Sequence, residues 1–316
     1  MSAEVTRVQI IDFADYATGS MARRRAIGGE IVEACGKVGF FYLANHGVAA
    51  TVVERLLADA KRFFDLPLRD KQAISFEKSR TRRGYMGLQQ ENFARPRGTP
   101  GDLKEFVNFF LELPDDAPEI VAGRPFYGGN QWPAGLPGWR EAMVDYMHTT
   151  TELGRRLMQA IALGLALPED RFEAMLARPM SSFRLIHYPP QAVRPPAPDE
   201  TGCGAHSDYG CLTILAQDAI GGLEIQTRDG RWIDAPPIPG TFVINIGDML
   251  AFWTAGRLRS TPHRVARPAR HSRYSAAAFL TPHIDTPLAP LDGSAEAEAT
   301  LTAGEHYLKQ MTANAY

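Results

Sequence analysis

From residue 182 onward the chain is a series of short apolar runs (183–188, 212–216, 223–226, 241–246 and 274–280) separated by glycine, proline and Asp-Gly. Runs of this length broken by turn formers are the layout of a β-sandwich or squashed barrel. Asp229-Gly230, between Ile225 and Trp232, is a strong hairpin signal because both residues accept the positive φ of a tight turn. Earlier, the periodicity is mixed. Residues 8–13 and 40–43 read as strands, and 104–113 is strand-like. Met21, Ile27, Ile31, Val32 and Cys35 recur at helical spacing over 20–35, and Gly36 and Gly39 end that helix. A second helix carries Val52, Val53, Leu56, Leu57, Ala60, Phe63 and Phe64 on one face and stops at Pro67. A third, over 139–165, has Met143, Met147, Leu153, Leu157 and Ile161 as its stripe. Residues 79–101 read as loop, and 189–198 as a stiff proline connector. The fold class is therefore mainly β with flanking helices. Residues 1–120 form an extension packed on a domain of 121–316, whose barrel runs from about 180 to 285.

With 45% hydrophobic residues among 316, the chain can bury a substantial core. A net charge of −2 gives no reason to expect nucleic acid as a partner. Cys35, Cys203 and Cys211 form no paired framework and fit packing positions in a reducing cytoplasm. The first residues lack a signal-peptide run, and no window approaches the roughly 20 apolar residues of a membrane span. A cytoplasmic monomer acting on a small molecule is expected.

Within the β-rich half stand His206-Ser207-Asp208, then His263 fifty-five residues later, then Arg273-Tyr274-Ser275 ten beyond that. Two imidazoles and one carboxylate can hold one face of an octahedral iron(II), leaving three positions for cosubstrate and dioxygen. His206 and Asp208, two apart at the entry to a strand, project on one side, and His263 comes from a later strand. A lone His-x-Asp is common by chance, so the assignment rests on the whole pattern. Arg273 and Ser275 point the same way from an apolar strand and can grip a carboxylate. An arginine directed into such a barrel is a costly buried charge unless a ligand carboxylate meets it. Tyr188 can add a hydroxyl. An iron site beside an anchor for a dicarboxylic acid implies an oxygenase.

These residues sit in a longer ordered set: Ile10-Ile11-Asp12-Phe13, Gly39-Phe40-Phe41-Tyr42-Leu43-Ala44-Asn45-His46-Gly47, Phe63-Phe64-Asp65-Leu66-Pro67, Arg83-Gly84-Tyr85 and Lys104-Glu105. His187-Tyr188-Pro189-Pro190, Ala205-His206-Ser207-Asp208-Tyr209-Gly210, Asn245-Ile246-Gly247-Asp248 and Ser260-Thr261-Pro262-His263-Arg264-Val265 follow. Over nearly its whole length the chain resembles the isopenicillin N synthase-like branch of the iron(II)- and 2-oxoglutarate-dependent dioxygenases. The resemblance implies a double-stranded β-helix (jelly-roll, cupin-like) core. It implies that His206, Asp208 and His263 bind iron(II) and carry catalysis, and that Arg273 and Ser275, with Tyr188, bind 2-oxoglutarate. Dioxygen would then be consumed with release of succinate and CO2 as a small molecule is hydroxylated, desaturated or cyclised. Asn245 and Asp248 are expected to hydrogen-bond and His46 to pack. His148, His187, His271, His283 and His306 match no ligand position.

The substrate pocket is expected at the barrel mouth, with Met86, Phe106, Asn108, Phe110 and Phe252 as candidates and the tail 306–316 as a lid. Alternation along 105–110 puts Phe106, Asn108 and Phe110 on one face. Arg82, Arg83, Arg95 and Arg97 read as a solvated basic loop. Two other functions compete: an iron oxidase of the same branch that does not use 2-oxoglutarate, and a non-catalytic barrel that binds a small molecule.

Overall fold

The computed structural model describes residues 7–93, 101–190, 201–266, 270–291, 293 and 301–313. Seven helices are described: α1 (Met21–Lys37), α2 (Ala50–Phe64), α3 (Leu68–Gln72), α4 (Pro118–Val121), α5 (Trp139–Gly164), α6 (Asp248–Trp253) and α7 (Ala303–Ala313). The N-terminal strands are β1 (Gln9–Asp12), β2 (Phe40–Ala44), β3 (Gly84–Met86) and β4 (Glu105–Phe110). The later strands are β5 (Ser182–Tyr188), β6 (Cys203–His206), β7 (Leu212–Gln217), β8 (Leu223–Gln226), β9 (Trp232–Asp234), β10 (Thr241–Ile246), β11 (His263–Val265) and β12 (Arg273–Leu280).

The strands form an eight-stranded sheet, ordered β1-β2-β10-β7-β12-β5-β4-β3, and a four-stranded sheet, ordered β6-β11-β8-β9. Residues alternate between two apolar compartments. Phe41, Leu43, Phe183, Leu185, Phe242 and Ile244 face the helices with the inner sides of α1, α2 and α5. Phe40, Tyr42 and Val243 instead meet Leu223 and Ile225 of the small sheet. Because both faces of the large sheet are covered, its strands read as nearly unbroken hydrophobic runs. The expected hairpin is β8–β9, with Gln226 opposite Trp232 and Gly230 at φ 83°. Strand β3 falls inside the stretch read as loop, since three residues are too few to show a period.

Helices α1 and α5 cross at glycine. A Cβ placed on Gly164 would stand 2.1 Å from the Gly28 carbonyl oxygen, so the two backbones touch and neither can yield by rotating a side chain. Gly164→Ala should destabilise the fold by about 1–3 kcal/mol through overpacking. That exceeds the ~1 kcal/mol alanine otherwise gains inside a helix. Denaturant unfolding checks it; an unchanged or raised midpoint would contradict the contact.

Arg83 corrects the solvated-loop expectation. It is fully buried, donating to Asn130 Oδ1 at 2.9 Å and to the Thr81 and Phe126 carbonyls, with its guanidinium over the Phe110 ring. Three acceptors and a π-face replace water around the charge. Arg95 and Arg97 lie outside the described residues.

Candidate active site

His206 closes β6 and His263 opens β11, and the two residues are direct partners in the antiparallel pair. Asp208 lies in the connection between β6 and β7, outside both strands, so that connection rather than a strand pleat aims its carboxylate. Its Oδ1 stands 3.9 Å from His206 Nε2 and 3.8 Å from His263 Nε2. Among the described residues these three form the one group of His, Cys, Asp or Glu side chains close enough to share a metal ion.

The donor set fits a divalent iron. His206 Nδ1–H donates to the Gly204 carbonyl at 2.8 Å and His263 Nδ1–H to the Thr261 carbonyl at 3.2 Å, which leaves both Nε2 lone pairs facing Asp208. Burial drives the His263 pKa down to about 4, so the ring is neutral at pH 7, as a ligand must be. Burial also pushes the Asp208 carboxyl up, but the hydrogen bonds donated by Asn245 and Thr213 counter it. The net direction is downward, so the group is ionised. Asn245 Nδ2 (2.7 Å) and the Thr213 hydroxyl both donate to Asp208 Oδ2, leaving Oδ1 as the metal-facing oxygen.

The surroundings hold the rings still. Phe93 stacks on His206 with centroids 4.5 Å apart, and Phe40 packs edge-on against His263 at 5.3 Å. Asp248 accepts from Ser207 and Ser260, while its amide donates to the Asp208 carbonyl at 2.7 Å, tying the segments that carry the ligands. The expected hydrogen-bonding roles of Asn245 and Asp248 are thus observed, and His46 packs as expected, stacked on Phe242. Asn245→Leu should weaken iron binding about 10–100-fold, the usual cost of losing an outer-shell partner. An iron(II) titration checks it; unchanged affinity would contradict the role of that hydrogen bond.

Arg273 opens β12 opposite Tyr188 of β5, with Ser275 two residues on, opposite Gln217 of β7. It is 1% exposed, and no described carboxylate pairs with it. Nη1 donates to Ser275 Oγ at 3.3 Å and Nη2 to Gln217 Oε1 at 3.2 Å; Nε has no partner. The guanidinium lies over the Tyr188 ring, 4.8 Å from its centroid. A buried cation with only neutral acceptors is a site for an anion, and a planar guanidinium suits a carboxylate.

Both groups open into one cavity between the sheets, lined also by Asn108, Phe110, Arg184 and Phe279, with Tyr307 and Met311 of α7 on one side. The tail therefore contributes wall residues, though Ala313 onward has no described side chain. Of the substrate candidates, Asn108 and Phe110 line the cavity. Phe106 and Met86 sit behind it, packed with Ile186 and Val265. Phe252 is a correction: α6 turns Met249, Leu250 and Trp253 inward and leaves Phe252 47% exposed. Cys35 and Cys211 pack in the core, whereas Cys203 lines the cavity with Sγ 2.9 Å from Lys104 Nζ. Sequence reasoning missed Arg184, on β5, and Lys104, just before β4; extending the alternation that grouped Phe106, Asn108 and Phe110 back by two residues would have marked Lys104.

A jelly-roll carrying a two-histidine, one-carboxylate cluster beside a buried arginine defines the class of non-haem iron oxygenases. Residues 8–135 match the family model described as the non-haem dioxygenase in morphine synthesis N-terminal, and residues 179–282 match the 2OG-Fe(II) oxygenase superfamily. The 2-oxoglutarate-Fe(II) type oxidoreductase hxnY of Emericella nidulans is 33% identical, aligned over 89% of this chain and 81% of its own length. A homoarginine-6-hydroxylase of Glycine max is 36% identical over 83% of this chain and 80% of its own. A full-length Neurospora crassa protein, whose crystal structure is in complex with alpha-KG and thymine, superposes with a TM-score of 0.85 at 27% identity, covering 99% of this chain and 98% of that one. The chain belongs to the 2OG-Fe(II) oxygenase superfamily. It is a 2-oxoglutarate-dependent oxygenase of small molecules that uses iron(II) and dioxygen, which sets aside both competing functions. No helix among the described residues is long and apolar enough to cross a membrane.

Proposed function

We propose that His206, Asp208 and His263 hold the iron, that Arg273 and Ser275 receive the distal carboxylate of 2-oxoglutarate, and that the Tyr188 ring lies against it. The observation that carries this reading is a fully buried arginine without a carboxylate partner among the described residues, in the same cavity as three metal-competent side chains. When bound, iron(II) would activate dioxygen, the oxidant, with 2-oxoglutarate as the electron-donating cosubstrate that ends as succinate and CO2 while the substrate is oxidised.

The remaining work belongs to the chain. The imidazoles, oriented by their Nδ1–H bonds to the Gly204 and Thr261 carbonyls, present Nε2, and Asn245 and Thr213 hold the carboxylate of Asp208 in one rotamer. Arg273 fixes one end of the cosubstrate and thereby the orientation of the other. Phe93, Phe40 and Tyr307 exclude water from the reacting centre. Residues 1–120 serve as an extension folded onto the domain of 121–316, since β1 to β4 complete its large sheet. The free thiols favour a cytoplasmic location, and the ordered motifs favour the isopenicillin N synthase-like branch, with a monomer as the working assembly.

Adding iron(II) and then 2-oxoglutarate without oxygen should give a visible charge-transfer band, and admitting oxygen with substrate should release one succinate per product. Absence of the band from folded protein would refute the site assignment.

A further inference from the structure

We propose that the substrate is an uncharged planar ring whose edge presents an N–H beside a carbonyl, as in a lactam or cyclic imide, read by Asn108 and Arg184. This rests on the iron and 2-oxoglutarate assignment above and adds the substrate class.

Asn108 of β4 and Arg184 of β5 are direct register partners and both line the cavity, so their side chains leave neighbouring points of one face. Asn108 is 4% exposed, and its Nδ2 donates to the Arg82 carbonyl at 2.9 Å. That bond fixes the amide and leaves Oδ1 buried without a partner. Arg184 spends Nη1 on both oxygens of Glu91, at 3.0 and 3.4 Å, and its guanidinium stacks on Phe106, 3.9 Å from the centroid. Its Nε is likewise buried without a partner. A lone acceptor beside a lone donor is the complement of adjacent N–H and C=O groups. Each such orphan costs about 1–3 kcal/mol until a ligand meets it.

Charge excludes the obvious alternative, a substrate carboxylate on Arg184. In this wall Lys104 pairs with Glu91 at 2.6 Å and Asp102 at 3.1 Å, and Arg184 with Glu91, so two cations meet two carboxylates. On the other side, the charges of iron(II) and Arg273 are balanced by Asp208 and the two carboxylates of 2-oxoglutarate. A charged substrate would therefore bring an uncompensated buried charge. Phe93, Phe110, Phe279, Tyr209 and Tyr307 supply flat walls that suit a ring.

The test uses the full chain loaded anaerobically with iron(II) and 2-oxoglutarate, in which the charge-transfer band has first been seen. Calorimetry then compares 2-pyridone, 2-quinolone and quinazoline-2,4-dione with their N-methyl derivatives and with benzoate and 2-naphthoate. At least one ring amide should bind tenfold or more tighter than its N-methyl form and than the carboxylate of matching size. Asn108→Leu should abolish the preference for N–H over N-methyl while keeping the band; Asn108→Ala serves if the leucine variant fails to load iron. Tighter binding of the carboxylates, no binding by any ring amide, or the same N–H preference in the variant would overturn the proposal. A parent protein that never develops the band overturns the iron assignment instead, so the two failures are distinct.

Discussion

His263→Ala is expected to lose tightly held iron and to lower substrate-coupled succinate formation by at least about 10³-fold, roughly 4 kcal/mol of transition-state stabilisation. The size follows from geometry. Among the described residues only two imidazole nitrogens and one carboxylate oxygen converge, all within 4.8 Å of one another, so removing one leaves a two-point site. The fold should survive, because the His263 side chain contributes two ring contacts, to Phe40 and His206, and one hydrogen bond to the Thr261 carbonyl. His283→Ala is the matched control: that ring bonds Glu119 Oε1 at 3.0 Å, away from the cavity, and its loss should leave iron content unchanged. Metal analysis beside circular dichroism reads both variants. Full iron occupancy with normal turnover in His263→Ala would remove it from the ligand set.

Arg273→Leu is expected to act in opposite directions on binding and on stability. Losing two charge-assisted hydrogen bonds to a carboxylate, at roughly 1.5–3 kcal/mol each, should raise the KM for 2-oxoglutarate by about 10²-fold or more. Without cosubstrate, the same change removes a charge that is 1% exposed and that, among the described residues, meets only the neutral Ser275, Gln217 and Tyr188 ring. The ligand-free variant should therefore melt no lower than the parent, and it should lose the rise in melting temperature that 2-oxoglutarate gives the parent. Thermal melts with and without cosubstrate separate the effects. A variant that melts lower but binds 2-oxoglutarate normally would make Arg273 a structural residue.

What could be read from the chain divides along physical lines. The barrel strands and the hairpin at Asp229-Gly230 were legible because short apolar runs and turn formers are local signals. The metal triad was legible because its residue types are rarely ordered so without a ligand. The shared direction of His206 and Asp208 was read from strand alternation, whereas Asp208 stands in the connection after β6, because a spacing of two looks the same in both. Arg83 was misread as solvated because its acceptors, Asn130 and the Phe126 carbonyl, come from over forty residues away. Phe252 was misread because an aromatic near the site invites a pocket role, while the turn of α6 faces it outward. Pocket residues are the least legible, since Phe106 behind the wall and Phe110 in it share one strand and one face.

The bonds that orient His206, Asp208 and His263 are made entirely by protein atoms: two carbonyls, an amide, a threonine hydroxyl and the brace through Asp248. Chain ordering at the centre is thus completed during folding. Iron joins a finished receptor, so a chelated sample should recover activity on the timescale of ion diffusion and ligand exchange rather than of refolding.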